Sequence, residues 1–272
     1  MAGYDLSDVP TIELDENEHN ALLGEEADIT QSDLMSEAVI CVDEDDNVVG
    51  SDSKIATHHN VGKLHRAFSV LLFNSEGKLL LQRRAADKVT FPSIWANSCC
   101  SHPLYCESEL EESNALGVKR AAIRKLEQEL GISPAQISLD DFHFITKMKY
   151  SSRMNASWIE REIDHVLLIK ADVDINPNPN EVSEIAWVDQ QQLEQWLIDE
   201  EETKGIIAPW FRCIAARIMT DEWWSAAGDA DACKSLADGI IHDMGDISHM
   251  LPGAEGSDLF TAIAEVKPFV EL

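Results

Sequence analysis

The sequence predicts a mixed α/β fold in which strand pairs flank one principal helix, and three observations carry that expectation. Short runs rich in β-branched and aromatic residues, separated by turn-like segments, recur between residues 38 and 188. One long stretch near residues 112–130 repeats its apolar side chains at helical spacing. Two further helical stretches follow, near residues 190–202 and 209–224.

Taken in chain order, the first strand is Ala38–Val42, and the acidic run Asp43–Asn47 after it reads as a hairpin turn. Ala67–Phe73 and Lys78–Arg84 are strands around the turn Asn74–Gly77. The principal helix runs from about Glu112 to Leu130. Val118, Ala122, Ile123, Leu126 and Leu130 line one face, and Gly131 stops it. Phe142–Tyr150, Glu160–Lys170 and Glu184–Val188 read as three more strands. After Trp224 the pattern weakens, and Thr261–Val270 reads as a short amphipathic helix. No internal repeat is visible.

Charge divides the chain. The net charge is -29, yet residues 1–52 carry 16 acids and no Lys or Arg, and Asp221 to Leu272 carries 11 acids against Lys234 and Lys267. The middle, 53–220, has 23 acids and 19 bases. The expected organisation is an acidic tail over 1–30, a main domain over 31–229 and an acidic extension over 230–272. So acidic a chain is repelled by nucleic acid and by anionic membrane. No apolar run reaches the length of a membrane span. The first residues lack the marks of a secretory or organelle leader, so the cytoplasm is expected, with the six cysteines as free thiols.

Four clusters carry chemical potential: Lys54-Ile-Ala-Thr-His58-His59 followed by His65; Arg83-Arg84 and Lys88 leading to Cys99-Cys100-Ser101-His102; Arg124 to Gly131; and Tyr150 followed by Trp158-Ile-Glu160-Arg-Glu162. Each alone has a plain structural explanation. A single histidine is more often a hydrogen-bonded residue than a ligand, and Glu-x-Glu on a strand simply puts two carboxylates on one face. At the head of a strand that turns apolar, as at Val166–Ile169, that pair can instead cup a cation.

Together, the strings His65-Arg-Ala-Phe-Ser-Val, Asn97-Ser-Cys-Cys-Ser-His-Pro103, Glu160-Arg-Glu-Ile-Asp164 and Ala208-Pro-Trp210 resemble the type 1 isopentenyl diphosphate isomerases of the Nudix superfamily. The resemblance spans roughly Ala38 to Trp224. It implies a Nudix-like α+β fold and a divalent Zn, Mn or Mg ion held by His58, His65, His102, Glu160 and Glu162. Within that set His59 competes with His58. The family's thiol falls on Cys100, with Cys99 as the alternative. Its facing carboxylate falls on Glu162, and the tyrosine bonded to that carboxylate on Tyr150. Lys54, Arg84, Lys88 and Ser101 fall on diphosphate-contacting positions, and Trp210 on the aromatic near the alkyl group. Glu129 falls on the residue holding a Mg ion against the diphosphate. The partner implied is a small diphosphate, and the protein is expected as a monomer or weak homodimer.

Moving a double bond requires one proton delivered to an alkene and another removed nearby, hence an acid and a base on opposite sides of the substrate. The tertiary cation between those steps gains about 2 kcal/mol from a desolvated aromatic face. The alternative is a Nudix diphosphate hydrolase, whose helix signature is G-x5-E-x7-R-E-U-x-E-E-x-G-U, with U a bulky aliphatic residue. The chain keeps Arg124 and Glu129 of it but has Leu116, Lys125 and Gln128 where acids are required. A non-catalytic scaffold with acidic tails is the third reading, and the intact set of candidate ligands counts against it.

Overall fold

A computed structural model describes residues 29–199 and 205–251. The described part of the chain opens with helix α1 (Ile29–Met35), strands β1 (Ala38–Val42) and β2 (Val48–Ser53) and helix α2 (Lys54–His58). Strands β3 (His65–Phe73), β4 (Leu79–Arg84), β5 (Trp95–Asn97) and β6 (Cys99–Ser101) precede the principal helix α3 (Leu116–Leu130). Then come β7 (His143–Arg153), β8 (Ile159–Lys170), β9 (Val182–Val188) and helix α4 (Gln190–Ile198). Helices α5 (Pro209–Cys213), α6 (Asp221–Ala226) and α7 (Ala230–Leu236) and strand β10 (Ile241–Asp246) complete the described chain.

The strand order is β10-β7-β8-β3-β1-β2. β3 and β8 run parallel over nine residue pairs, His65↔Glu162 through Phe73↔Lys170. The other edge of β3 is shared in turn by β1 at His65, β6 at Phe68–Val70 and β4 at Phe73. β4 then turns away to pair with β5 and β9. The strands read as a hairpin, Ala67–Phe73 and Lys78–Arg84, therefore meet only at Phe73↔Leu79. Because no single partner follows β3 along that edge, the sheet divides beside it and leaves room for a cleft.

α3 covers one face of the sheet, packing Val118, Ala122, Leu126 and Leu130 with Phe68, Val70, Leu72, Leu167 and Ile169. It begins at Leu116 rather than Glu112 because Asn114 and Ala115 take left-handed backbone conformations, φ 53° and 54°, which interrupt the helix. It ends at Gly131, where φ is 64° and a Cβ would meet Asn176 O at 2.3 Å, so only glycine fits. The opposite face packs Leu71, Met148, Tyr150 and Val166 under Trp210, Phe211 and Trp223.

Two stretches differ from the sequence expectation. The helix expected over 209–224 is broken: α5 runs into a π-turn at Ile214–Ile218, and Met219 is extended (φ -68°, ψ 126°) before α6 starts. Past the expected boundary at residue 229, α7 and β10 continue the packed body. β10 adds to the sheet edge parallel to β7, and Cys233, Ile247 and Met250 join the core that holds Tyr150. Weak periodicity hid these elements, since β10 (Ile-His-Asp-Met-Gly-Asp) has little apolar content. The 1–30 tail lies almost wholly outside the described residues, and the Thr261–Val270 helix wholly so. No helix among the described residues is long and apolar enough to cross a membrane.

Candidate active site

Period two along β8 sends Glu160, Glu162 and Asp164 to the same face of the sheet. Parallel pairing sets His65, at the start of β3, directly beside Glu162. α2 brings His58, and the chain leaving β6 brings His102. The ligand atoms of His58, His65, His102, Glu160 and Glu162 all lie within 4.8 Å of one another, and all five residues are buried. His59 sits outside this group, its ring 6.0 Å from that of Trp158.

The hydrogen-bond pattern tests whether these residues fit a cation. A backbone carbonyl can only accept, so the contacts of His58 Nδ1 with Lys54 O and of His65 Nδ1 with Lys63 O, both 2.7 Å, put the proton on Nδ1 in each ring. In the neutral rings, Nε2 then points a lone pair into the cluster. His58 Nε2 lies 2.8 Å from Glu160 Oε2, and His65 Nε2 lies 3.4 Å from Glu162 Oε1. His58 Nε2, His65 Nε2 and Glu160 Oε2 have no hydrogen-bond partner. Acceptors facing acceptors in a dry site require either a proton or a cation between them, so the cluster fits a divalent metal ion. Without the ion, a proton takes its place at His58. Burial disfavours that charge, but Glu160 and Glu162 outweigh burial and lift the His58 pKa to about 9.

Glu162 is the hub. Its Oε1 is 2.7 Å from His102 Nε2, and its Oε2 accepts a 2.5 Å hydrogen bond from Tyr150 Oη. Burial pushes its pKa up, but the hydrogen bond with His102 and the neighbouring His58 and His65 rings outweigh burial and hold it well below the usual carboxylate range. Tyr150 is driven the other way, by burial and then by the charge of Glu162, so it stays a hydrogen-bond donor. Asp164 lines the same cleft and accepts a bond of 2.7 Å from Ser69 Oγ. Burial and the charge of Glu162 lift its pKa to about 8. Sequence reasoning quoted Asp164 within a motif but gave it no role; the period of β8 was the available signal.

The alternation of β6 separates the adjacent thiols. Cys99 faces α3 and donates to Glu129 Oε2 at 3.5 Å. Cys100 opens on the cleft, where Arg84 Nη1 is 4.0 Å from its sulfur. Burial pushes the Cys100 thiol up to about 12, partly offset by Arg84. Arg84 is held by Phe91 O at 2.9 Å and Thr90 O at 2.8 Å, with its guanidinium 5.8 Å from the Trp210 ring. Trp210 is fixed by an edge contact with Phe91 at 5.3 Å and by donating to Asn97 Oδ1 at 3.3 Å.

Lys54, Lys88, Ser101 and Glu129 complete the cleft. Glu129 accepts from Gln82 Nε2 at 3.0 Å and pairs with Lys125 Nζ at 3.2 Å. Thus the cleft brings together Cys100, Glu162, Tyr150, Glu129 and every residue expected to contact substrate. His58 and His65 lie just behind it. Lys125 and Glu181, which flank the cationic end, were not singled out as site residues; their signal is burial, which a sequence does not display.

The chain was compared with known proteins. The NUDIX domain family model matches residues 63–211. The isopentenyl-diphosphate Delta-isomerase of Dictyostelium discoideum is 49% identical over 203 residues, covering 72% of this chain and 84% of that protein. That of Gibberella zeae is 47% identical over 205 residues, covering 72% and 79%. Isopentenyl-diphosphate Delta-isomerase 1 of Bos taurus is 43% identical over 204 residues, covering 74% and 89%.

Proposed function

The chain belongs to the isopentenyl-diphosphate Delta-isomerase family of NUDIX-domain proteins, and from that premise we propose that it interconverts isopentenyl and dimethylallyl diphosphate by proton transfers at Cys100 and Glu162. The observation that carries this reading is that both groups open on one buried cleft. One end of that cleft is cationic and its wall carries Trp210. In the forward direction a proton is added to the terminal methylene of the alkene, giving a tertiary cation. A second proton then leaves the carbon next to the one bearing the diphosphate oxygen, on its alkene side. Cys100 and Glu162 divide these two transfers, and the reverse reaction exchanges their roles. Tyr150, bonded to Glu162 Oε2, holds that carboxyl in place and gives its proton a path. Trp210 offers its π face to the cation.

Zn, Mn or Mg held by His58, His65, His102, Glu160 and Glu162 would supply positive charge that orients Glu162 and lowers its proton affinity. Lys54, Arg84, Lys88 and Ser101 bind the diphosphate, and Glu129 would hold a Mg ion that supplies further positive charge to it. The hydrolase alternative is disfavoured because Lys125, in place of a signature acid, puts an ammonium 3.2 Å from Glu129 where hydrolysis needs gathered carboxylates. Free thiols at the described cysteines suit a reducing cytoplasm, and we read the enzyme as a monomer or weak homodimer.

Incubation with isopentenyl diphosphate in deuterium oxide tests the proposal. Dimethylallyl diphosphate carrying deuterium is expected, because the added proton comes from an exchangeable side chain. Phosphate release would favour hydrolysis, and product free of deuterium would exclude the two-group mechanism.

A further inference from the structure

Behind the cationic end of the cleft lies a buried charge cluster whose acid has no assigned role. Glu181 is 2% exposed and sits at the end of the loop 176–181. Its Oε2 is 2.5 Å from Lys88 Nζ, and its Oε1 accepts from Gln31 Nε2 of α1 at 2.8 Å. Gln31 also donates to Asn180 O at 3.0 Å. The loop is tied to the end of α3, through Asn176 N to Leu130 O at 2.8 Å and Asn178 N to Glu129 O at 2.9 Å. It is tied to the Lys88 loop as well, through Ala85 N to Glu181 O at 3.0 Å. Glu181 therefore holds Lys88 directly, and its loop is fastened both to the Lys88 loop and to the end of α3.

Resting on the proposed reading of the cleft as a diphosphate site, we infer that Glu181 is the positioning residue of that cradle and that Gln31 makes helix α1 part of it. Lys54, Lys88 and Lys125 converge where burial and neighbouring cations disfavour the charges of Lys54 and Lys88, while Glu129 and Glu181 outweigh burial at Lys125. Burial, then the neighbouring lysines, lower the Lys54 pKa to about 8. A buried carboxylate offsets this repulsion, and burial of Glu181 itself is outweighed by Lys88, Lys125 and Lys54, which bring its pKa to about 2. Lys54 Nζ has no ion-pair partner among the described residues and Arg84 Nη1 faces the thiol, so donors stay open to substrate while Lys88 is aimed by Glu181. Gln31 clamps the other carboxylate oxygen. Loss of that clamp leaves Glu181 free to rotate and Lys88 to follow it.

The test uses the full chain and inorganic diphosphate with Mg as the probe, measured by calorimetry, alongside steady-state kinetics. Glu181→Gln keeps the shape and removes the charge. Its diphosphate affinity should fall about tenfold to a hundredfold, as for a lost hydrogen bond to a charged group. KM for isopentenyl diphosphate should rise by the same factor, with kcat within about twofold. Gln31→Ala should weaken diphosphate by about twofold to tenfold, and the double variant should be no worse than Glu181→Gln alone. Unchanged or tighter diphosphate binding in Glu181→Gln would overturn the inference, since Glu181 would then compete with the ligand for Lys88. Loss of kcat at constant KM would overturn it too, by reducing Glu181 to a folding role. If Glu181→Gln does not fold, undiminished affinity in Gln31→Ala decides against the inference. A wild-type chain that binds diphosphate with this pattern yet forms no dimethylallyl diphosphate would sink the isomerase reading and leave the Glu181 assignment standing.

Discussion

Two buried clusters of histidine and carboxylate lie on opposite faces of β8, and they are built on opposite rules. On one face, Asp46 collects Arg66 Nε at 2.9 Å, Lys147 Nζ at 2.6 Å and His165 Nε2 at 2.7 Å, while its backbone carbonyl accepts from Arg66 Nη2 at 2.7 Å. Both carboxylate oxygens are satisfied, and among its polar atoms only His165 Nδ1 lacks a partner. On the other face, His58 Nε2, His65 Nε2, His102 Nδ1 and Glu160 Oε2 are all left without hydrogen bonds. The first cluster ties the β1–β2 hairpin to β3, β7 and β8 and asks for nothing more. The second is incomplete until something cationic enters. Residue types hardly distinguish them; the open atoms do.

The largest effect should come from breaking the incomplete side. Cys100→Ala and Glu162→Gln should each lower turnover by ~10²–10⁴-fold, the contribution of a positioned acid or base. Both should retain inorganic diphosphate binding in calorimetry, and Cys99→Ala should remain nearly normal. A dead Cys99→Ala beside an active Cys100→Ala would reverse the choice of thiol.

Breaking the complete side should cost stability instead. Asp46→Ala strands Arg66 and His165 with no anion at the hub and should lose about 3–5 kcal/mol in denaturant titration. The molecules that still fold should keep their turnover per active site. Burial raises the Asp46 pKa, but hydrogen bonding and charge from His165, then Arg66 and Lys147, hold it below the usual carboxylate range. Its contribution is therefore present above the ordinary carboxyl pKa of about 4 and lost as pH falls further. Wild type should lose stability over that acid range more steeply than Asp46→Asn, and equal slopes would count against the hub.

Metal removal sharpens the contrast. His102→Ala should lose bound divalent metal by elemental analysis, whereas His59→Ala should keep it. In the metal-free protein His58 has its pKa raised above the ordinary value, to about 9. Its pairing with Glu160 then stabilises fully below about pH 6.5 and is lost as pH rises through about 9. Chelated protein should accordingly lose stability toward pH 9, and metal should restore it. At pH 7 metal binding should release a proton, detectable as a buffer-dependent calorimetric heat. Heat independent of the buffer would remove His58 from the site.

The smallest effect belongs to Trp210. Phenylalanine keeps part of the π face and leucine none, so turnover should fall in the order Trp, Phe, Leu. The whole span should be about 2- to 30-fold, for a cation–π term of 0.5–2 kcal/mol. Equal rates for Phe and Leu would reduce Trp210 to packing against Phe91.

Much of this was legible early, and unevenly. Strands β1, β3, β4, β7, β8 and β9 follow from apolar runs bounded by turns, since each buries one or both faces. β2 was legible only as the return strand of the hairpin turn at Asp43–Asn47, and β5, β6 and β10 were missed because they are short or polar and held by neighbours rather than by their own pattern. The candidate residues came from residue types in a family order, and geometry gathers them into one cleft. Glu181 and Lys125 carried no such signal. A Glu after Asn-Pro-Asn-Pro-Asn and a Lys on a helix look like solvated charges until they are found buried.

What the sequence by itself determined is local: the helical period of α3 and its glycine stop, the alternation that faces Glu160, Glu162 and Asp164 together, and the alternation that parts Cys99 from Cys100. Each is set by backbone geometry over a few residues. What only the tertiary structure decided is which groups share a dry space. His59 is left outside the His/Glu cluster that His58 joins, β10 pairs Ile241 with Lys147 of β7, and Gln31 reaches Glu181 from α1. Burial, charge coupling and unsatisfied lone pairs are properties of that shared space, fixed by packing among distant segments and by no one of them alone.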